Sequence, residues 1–328
     1  MATPALRSLR EGFPTAEITL LLKPSLAGVV EGLPWHDRVV PLYVYGRDRR
    51  PGATVRAAAA LRREGYDLGV LLPNSFSAAW ILRLAGLGQI FGYGRNARSL
   101  LLTHRVAPPR VDGRIVPVPM TRYYLALVEH LGCPVDRTDL ELRVTSAEEA
   151  EMDALLGRLD LAEVRPLVAI TPGASFGSSK MWPPARFALA ADAILDRHGG
   201  AACVFPGPGE EEAAERVAKR MRGRVAVAPV VGLGALKAAI RRSTLLLTND
   251  AGVRHFAVAL RVPHVVVMGP TDPRYTDMNL AHAAVLRREV PCGPCHLKVC
   301  PLDHRCMTGI TVSDVVAAAG ALLAKGTQ

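Results

Sequence analysis

The chain has 328 residues, 49% of them apolar, 21% charged and 5% aromatic, a composition that excludes disorder or low complexity as its main character and suffices for roughly two domains with their own cores. Forty Lys and Arg against 30 Asp and Glu leave a formal charge of +10, which favours polyanionic partners: nucleic acid, nucleotides or a phosphate-bearing membrane surface. No apolar run approaches the ~18 residues of a membrane-spanning helix, and MATPALRSLREGFP lacks the parts of a signal peptide, so a cytoplasmic location is expected.

The first predicted element is a helix over Pro4–Glu11, with Thr3 placed to cap it and Pro4 suited to its first position. Doubly wound domains usually open on a strand; either this domain opens on a helix or the stated start lies downstream of the true one. Strands are predicted at Ile18–Leu22, Arg38–Leu42 and Leu68–Leu72, with helices at Val55–Glu64, Trp80–Ala85 and Arg122–Leu131. The acidic, helix-favouring stretch SAEEAEMDALLGRLDLAEVRP then ends at a proline, and the boundary is drawn there, giving domains 1–158 and 159–328. Beyond it, strands at Leu167–Ile170, Ala202–Phe205, Val225–Ala228, Leu245–Leu247 and His264–Met268 alternate with helices at Pro184–Arg197, Glu210–Met221, Leu233–Arg241 and Val253–Leu260. Buried strands alternating with helices are the pattern of parallel α/β units. The expected architecture is two doubly wound, Rossmann-like α/β domains facing a cleft, with ligand groups at the carboxyl ends of the strands.

Four segments of the second half could carry chemistry. In TPGASFGSSKMWPPARF, Gly173, Ser175, Gly177, Ser178 and Ser179 make a loop able to turn tightly, and Lys180 at its end could neutralise nucleotide phosphates. A solvent-facing loop with a surface lysine is an equally good reading of this segment alone. In LLLTNDAGVRHFAVAL, Asp250 sits at the carboxyl end of a strand and could hold sugar hydroxyls, while Gly252 admits a close backbone approach; the bland reading makes Asp250 a helix cap and His255 a buried helix residue. In VFPGPGEEEAAERV, acidic residues beginning at Glu210 suit a first helical turn without any function, though one could accept from a ribose. The fourth is PCGPCHLKVCPLDHRCM, where Cys292, Cys295, Cys300 and Cys306 are spaced C-x2-C-x4-C-x5-C. That spacing matches no standard zinc ribbon or finger, and the segment reads either as a structural zinc or iron–sulfur site or as reduced thiols. Aromatic platforms and a basic stripe are lacking, so nucleic acid is not expected as a partner.

The ordered segments TPALRSLREGFP, DLGVLLPNSFSAAWILRLAG, GYGRNARSLLLTHRV, PGASFGSSKMWP, NDAGVRHFAVAL and GPTDPRYT resemble the ADP-heptose-using lipopolysaccharide heptosyltransferases of glycosyltransferase family 9, those of type II above the others. The resemblance covers nearly the whole chain and implies the GT-B fold, with an acceptor-binding first domain and a donor-binding second one. It implies transfer of L-glycero-D-manno-heptose from ADP-heptose to heptosyl-Kdo-lipid A in one inverting displacement, by an enzyme peripheral on the inner face of the inner membrane. On the matching positions, Lys180 and Asp250 would be catalytic. Donor contacts would come from Thr171, Gly173, Ser178, Ser179, Lys180, Glu210, Val231, Leu233, Asp250, Ala251, Gly252 and His255, with backbone N–H groups of Ala251 and Gly252 on the phosphates. Arg95, Arg98, Arg105 and Arg122 would meet the anionic acceptor. No D-x-D motif is present, which suits catalysis without an obligatory metal. Relatives begin with a strand and an I-G-D-x-V-M loop whose Asp is the expected base, whereas this chain starts at the M. Asp37 and Asp48 are merely in the right domain. A misassigned start is favoured over a truncated chain or a non-catalytic nucleotide-sugar-binding relative, because the other site residues are present.

Overall fold

The computed structural model describes residues 1–44 and 51–325. They separate into two compact units, one of residues 1–27, 33–139 and 274–278, the other of 28–32, 140–273 and 279–325.

In the first unit all but two strands are short and parallel. Strands β1 (Thr19–Leu22) and β2 (Arg38–Pro41) pair with each other, and β3 (Leu68–Leu71), β4 (Gln89–Tyr93) and β5 (His104–Val106) form a separate sheet in that order. Among the described residues no strand joins the two sheets. Strands β6 (Arg110–Val111) and β7 (Arg114–Ile115) make a hairpin whose Asp112-Gly113 turn has positive φ at both residues, 48° and 74°, the geometry that Asp-Gly turns adopt to match strand twist. The opening helix spans Thr3–Gly12 with Ala2 at its cap and no side-chain capping bond; Thr3 thus lies inside the helix it was expected to cap, and buries there.

The second unit is a six-stranded parallel sheet in the order β10-β9-β8-β11-β12-β13, formed by β8 (Leu167–Thr171), β9 (Ala201–Val204), β10 (Val225–Val227), β11 (Leu245–Asn249), β12 (His264–Met268) and β13 (Ala283–Arg287). Helices cover both faces, which is why β8, β9, β11 and β12 are buried along their whole length and read as unbroken apolar runs. Alternate residues feed two cores: Val168 and Ile170 join Trp182 and Phe187 on one face, Leu167 and Ala169 join Ala201 and Cys203 on the other. The acidic segment forms a helix over Ser146–Arg158, started by a capping box between Thr145 and Glu148, and clusters with this second unit.

His264, fully buried in β12, donates from Nδ1 to the Val262 carbonyl at 2.8 Å. Burial pushes its pKa down to about 4. The unfolded chain then takes up a proton near pH 6.5 that the native state refuses, so stability is fully present above that pH and falls as pH drops toward 4, by roughly 3 kcal/mol from this residue. Melting temperature measured from pH 7.5 to 4.5 is expected to fall less steeply in His264→Gln than in the wild type; equal slopes would discard this assignment.

Candidate active site

The chain leaves β8 toward β9 and β10 on one side and returns to β11 on the other, so β8 and β11 flank the point where strand order reverses, the place where open α/β sheets gather ligand groups. Register aligns Thr171 with Thr248, and the Lys180 loop and Asp250 therefore leave adjacent strands at the same level. Asn249 ties the two together. Its Nδ2 donates to the Pro172 carbonyl at 2.6 Å and to that of Gly173 at 3.3 Å, while its Oδ1 accepts from the Trp182 N–H at 2.9 Å. Trp182 is fully buried, with its indole donating to the Ile310 carbonyl at 3.1 Å, so the loop is fixed at both ends.

Lys180 closes that loop on a short turn at Ser178–Lys180. Its ammonium donates to Asp250 Oδ2 at 2.7 Å and to the Asp250 carbonyl at 2.9 Å, and lies 5.1 Å from the centre of the Phe176 ring. Asp250 Oδ2 also accepts from the Thr271 hydroxyl at 2.6 Å, and Oδ1 from Arg254 at 2.9 Å. These groups are nearly shut off from water: side-chain exposure is 12% for Lys180, 7% for Asp250 and 1% for Arg254. Burial alone would raise the Asp250 pKa, but the Lys180 ammonium, the Thr271 hydroxyl and the Arg254 guanidinium together bring it down to about 2. The carboxylate is ionised at every physiological pH. The Lys180 ammonium therefore stands at the strand ends in a setting where its charge is weakly screened.

A cavity of about 390 Å³ adjoins the loop, lined among others by Ser175, Met181, Pro208, Gly209, Glu210 and Arg216. Glu210 precedes the helix Glu211–Ala218 and accepts from the Gly207 N–H at 3.0 Å. A Cβ at Gly173 would run into the Glu210 carboxylate, so glycine there is what lets the two loops close on one another.

The structure brings Gly173, Lys180, Glu210 and Asp250 into one region and assigns different work to several other expected residues. The Thr171 hydroxyl donates to Thr248 at 2.7 Å, a buried tie between strands. The Ala251 N–H donates to the Asn249 carbonyl at 2.7 Å and so is taken up by the turn instead of facing a phosphate, whereas Gly252 is exposed. Ser178 is exposed and Ser179 buried, its hydroxyl donating to the Leu297 carbonyl at 2.5 Å. Val231 and Leu233 pack on the core of this unit, and the cavity lining does not include them. Burial and the neighbouring Arg254 push the His255 pKa down to about 3, which keeps the ring neutral. Thr271, Arg254 and Asn249 were not foreseen as site residues. Arg254 had a signal, its i+4 spacing from Asp250; Thr271 follows β12, and only the sheet order brings it to Asp250.

In the first unit Arg98 is fully buried, its guanidinium donating to the carbonyls of Tyr93 and Pro73 and to Asn74 Oδ1. It is a staple of the local fold, which removes it from the acceptor contacts. Arg105 and Arg122 are exposed and Arg95 is half-buried. Asp37 pairs with Arg10 and accepts from the Ile18 N–H at 2.7 Å, commitments that explain its lowered pKa and disqualify it as a free base. Asp48 lies outside the described residues. The cysteines are all free: Cys292 and Cys295 exposed, Cys300 half-buried, Cys306 buried. Among the described residues no three His, Cys, Asp or Glu groups are gathered so as to hold a metal ion, and the metal reading gains no support from this geometry.

Against known proteins, the profile of the family described as glycosyltransferase family 9 (heptosyltransferase) matches residues 54–305. Lipooligosaccharide heptosyltransferase 2 of Haemophilus influenzae is 28% identical over 253 residues, 72% of this chain and 69% of that protein. The structure of Escherichia coli ADP-heptose LPS heptosyltransferase II superposes with a TM-score of 0.79 at 24% identity, covering 100% of this chain and 95% of that one. A glycosyltransferase family 9 protein from Veillonella parvula gives 0.82 at 23% identity, over 99% and 93%. The expected GT-B α/β fold is thereby borne out, and the non-catalytic alternative finds no support among these relatives.

Proposed function

The chain belongs to glycosyltransferase family 9, the heptosyltransferases, and from that premise we propose that it transfers heptose from ADP-heptose to a heptosylated Kdo-lipid A acceptor during assembly of the lipopolysaccharide inner core. The observation that carries the reading is the Lys180–Asp250–Arg254 cluster at the strand switch point, which holds the Lys180 ammonium in a poorly hydrated setting. In the displacement the acceptor hydroxyl attacks the anomeric carbon and the C–O bond to ADP breaks, so negative charge grows on the diphosphate. A preformed, poorly hydrated cation at that spot stabilises the transition state more than the ground state. Lys180 supplies it, having donated two of its three N–H groups to Asp250 and kept the third. Asp250 orients Lys180 and is placed to accept from sugar hydroxyls, and Glu210 beside the cavity is placed to accept from the ribose.

The acceptor is a phosphorylated glycolipid, and the net +10 with exposed Arg105 and Arg122 suits work at an anionic membrane face. No helix among the described residues is long and apolar enough to cross a membrane. The names of the curated relatives support the type II assignment.

Calorimetric titration with ADP is expected to give saturable binding without added divalent ion, and ADP-heptose with heptosylated Kdo-lipid A is expected to release ADP. A chain that binds neither ADP nor ADP-heptose at millimolar concentration would end this reading.

A further inference from the structure

The loop that carries the cysteines grips both other loops of the site. Its backbone takes the Ser179 N–H on the Lys298 carbonyl at 3.1 Å and the Ser179 hydroxyl on the Leu297 carbonyl at 2.5 Å. From its far end His304 Nε2 donates to the Ser179 carbonyl at 2.6 Å. In the other direction the N–H groups of Cys295 and His296 both donate to the Pro270 carbonyl, at 3.0 and 2.9 Å. Ser179 precedes Lys180 and Pro270 precedes Thr271, the two residues that share Asp250 Oδ2. Gly177, with φ of +150°, lies so close to Lys298 that a Cβ there would strike its carbonyl oxygen.

The hold is polar, because the apolar side chains of this loop do not anchor it: Leu297 is 45% exposed, Val299 67% and Leu302 62%. His304 is the rigid end. It stands in the left-handed region at φ 60°, its carbonyl accepts from the N–H groups of Met307 and Thr308, and the Cys306 and Met307 that follow are buried in the sheet core. Force is thus transmitted from the core, through one side chain, to the residue before Lys180.

We propose that His304 is a positioning residue for Lys180, its Nε2–H holding the Ser179 carbonyl so that the 177–180 loop presents the ammonium to the leaving diphosphate. The proposal rests on the transferase reading, and its test separates the two. Hydrogen exchange of amides 177–181 and ADP calorimetry are measured on the full chain for wild type, His304→Ala and His304→Gln. Loss of one hydrogen bond is expected to speed exchange at Ser179 and weaken ADP, each by about 10-fold, in His304→Ala. Glutamine, which can also donate, restores both. Unchanged exchange and affinity in His304→Ala, or equal loosening in both variants, overturns the proposal. If the wild type itself fails to bind ADP the transferase reading falls, while the exchange rates still decide whether His304 fixes the loop.

Discussion

Replacing Asp250 by Asn is expected to lower kcat/KM by roughly 10²–10³-fold while leaving ADP affinity equal or tighter, a combination that few site lesions produce. The carboxylate pairs with both Lys180 and Arg254. An amide of the same shape can offer one oxygen but not two, and it turns an N–H₂ toward a cation that is already a donor. Sugar orientation and the placement of Lys180 both suffer, and turnover falls. Local charge meanwhile becomes more positive by one unit, which a free diphosphate welcomes. The same substitution takes a shared carboxylate away from two buried cations, at a stability cost of about 3–5 kcal/mol. With roughly 2–4 °C per kcal/mol for a domain of this size, a clear drop in melting temperature accompanies the kinetic loss. A variant that kept its melting temperature, or lost ADP affinity, would contradict this account of the cluster.

Much of this site was readable from the sequence because its parts lie at places where local rules apply. A continuous apolar run such as Leu245–Asn249 followed by Asp250 marks a strand end, and strand ends in parallel sheets gather ligands. Lys180 was legible for the same reason, following β8 and a loop rich in glycine and serine. What the sequence did not disclose is contact between distant segments. Thr271 reaches Asp250 only because β12 lies beside β11, and His304 reaches Ser179 across 125 residues of chain. Arg98 shows the opposite failure. A basic residue in a family-like segment reads as a ligand for phosphate, yet packing turned it inward onto backbone carbonyls that water would otherwise have satisfied. Strands β4 to β7 and β13 were missed because Gln89, Gly92, His104, Arg105, Arg110, Arg114 and Arg287 interrupt or bound their apolar runs.

Lys180→Ala is expected to lower kcat/KM by about 10²–10³-fold as well, but with a different pattern in the other two measurements. Removing the ammonium leaves Asp250 paired with Arg254 and still accepting from Thr271, so the carboxylate keeps a cation and a hydroxyl donor. Stability falls by about 1.5–3 kcal/mol, the worth of a hydrogen bond to a charged group, and less than in Asp250→Asn. ADP affinity falls, because the diphosphate loses a nearby positive charge and a charge-assisted donor. The two variants therefore separate the role of the cation from that of its counter-ion. Combined, they should not add: Lys180→Ala in the Asp250→Asn background removes one of the two cations deprived of that carboxylate and raises the melting temperature above that of Asp250→Asn alone. Additive losses of stability in the double variant would mean that Lys180 and Asp250 act on separate partners, and the charge arrangement drawn here would have to be abandoned.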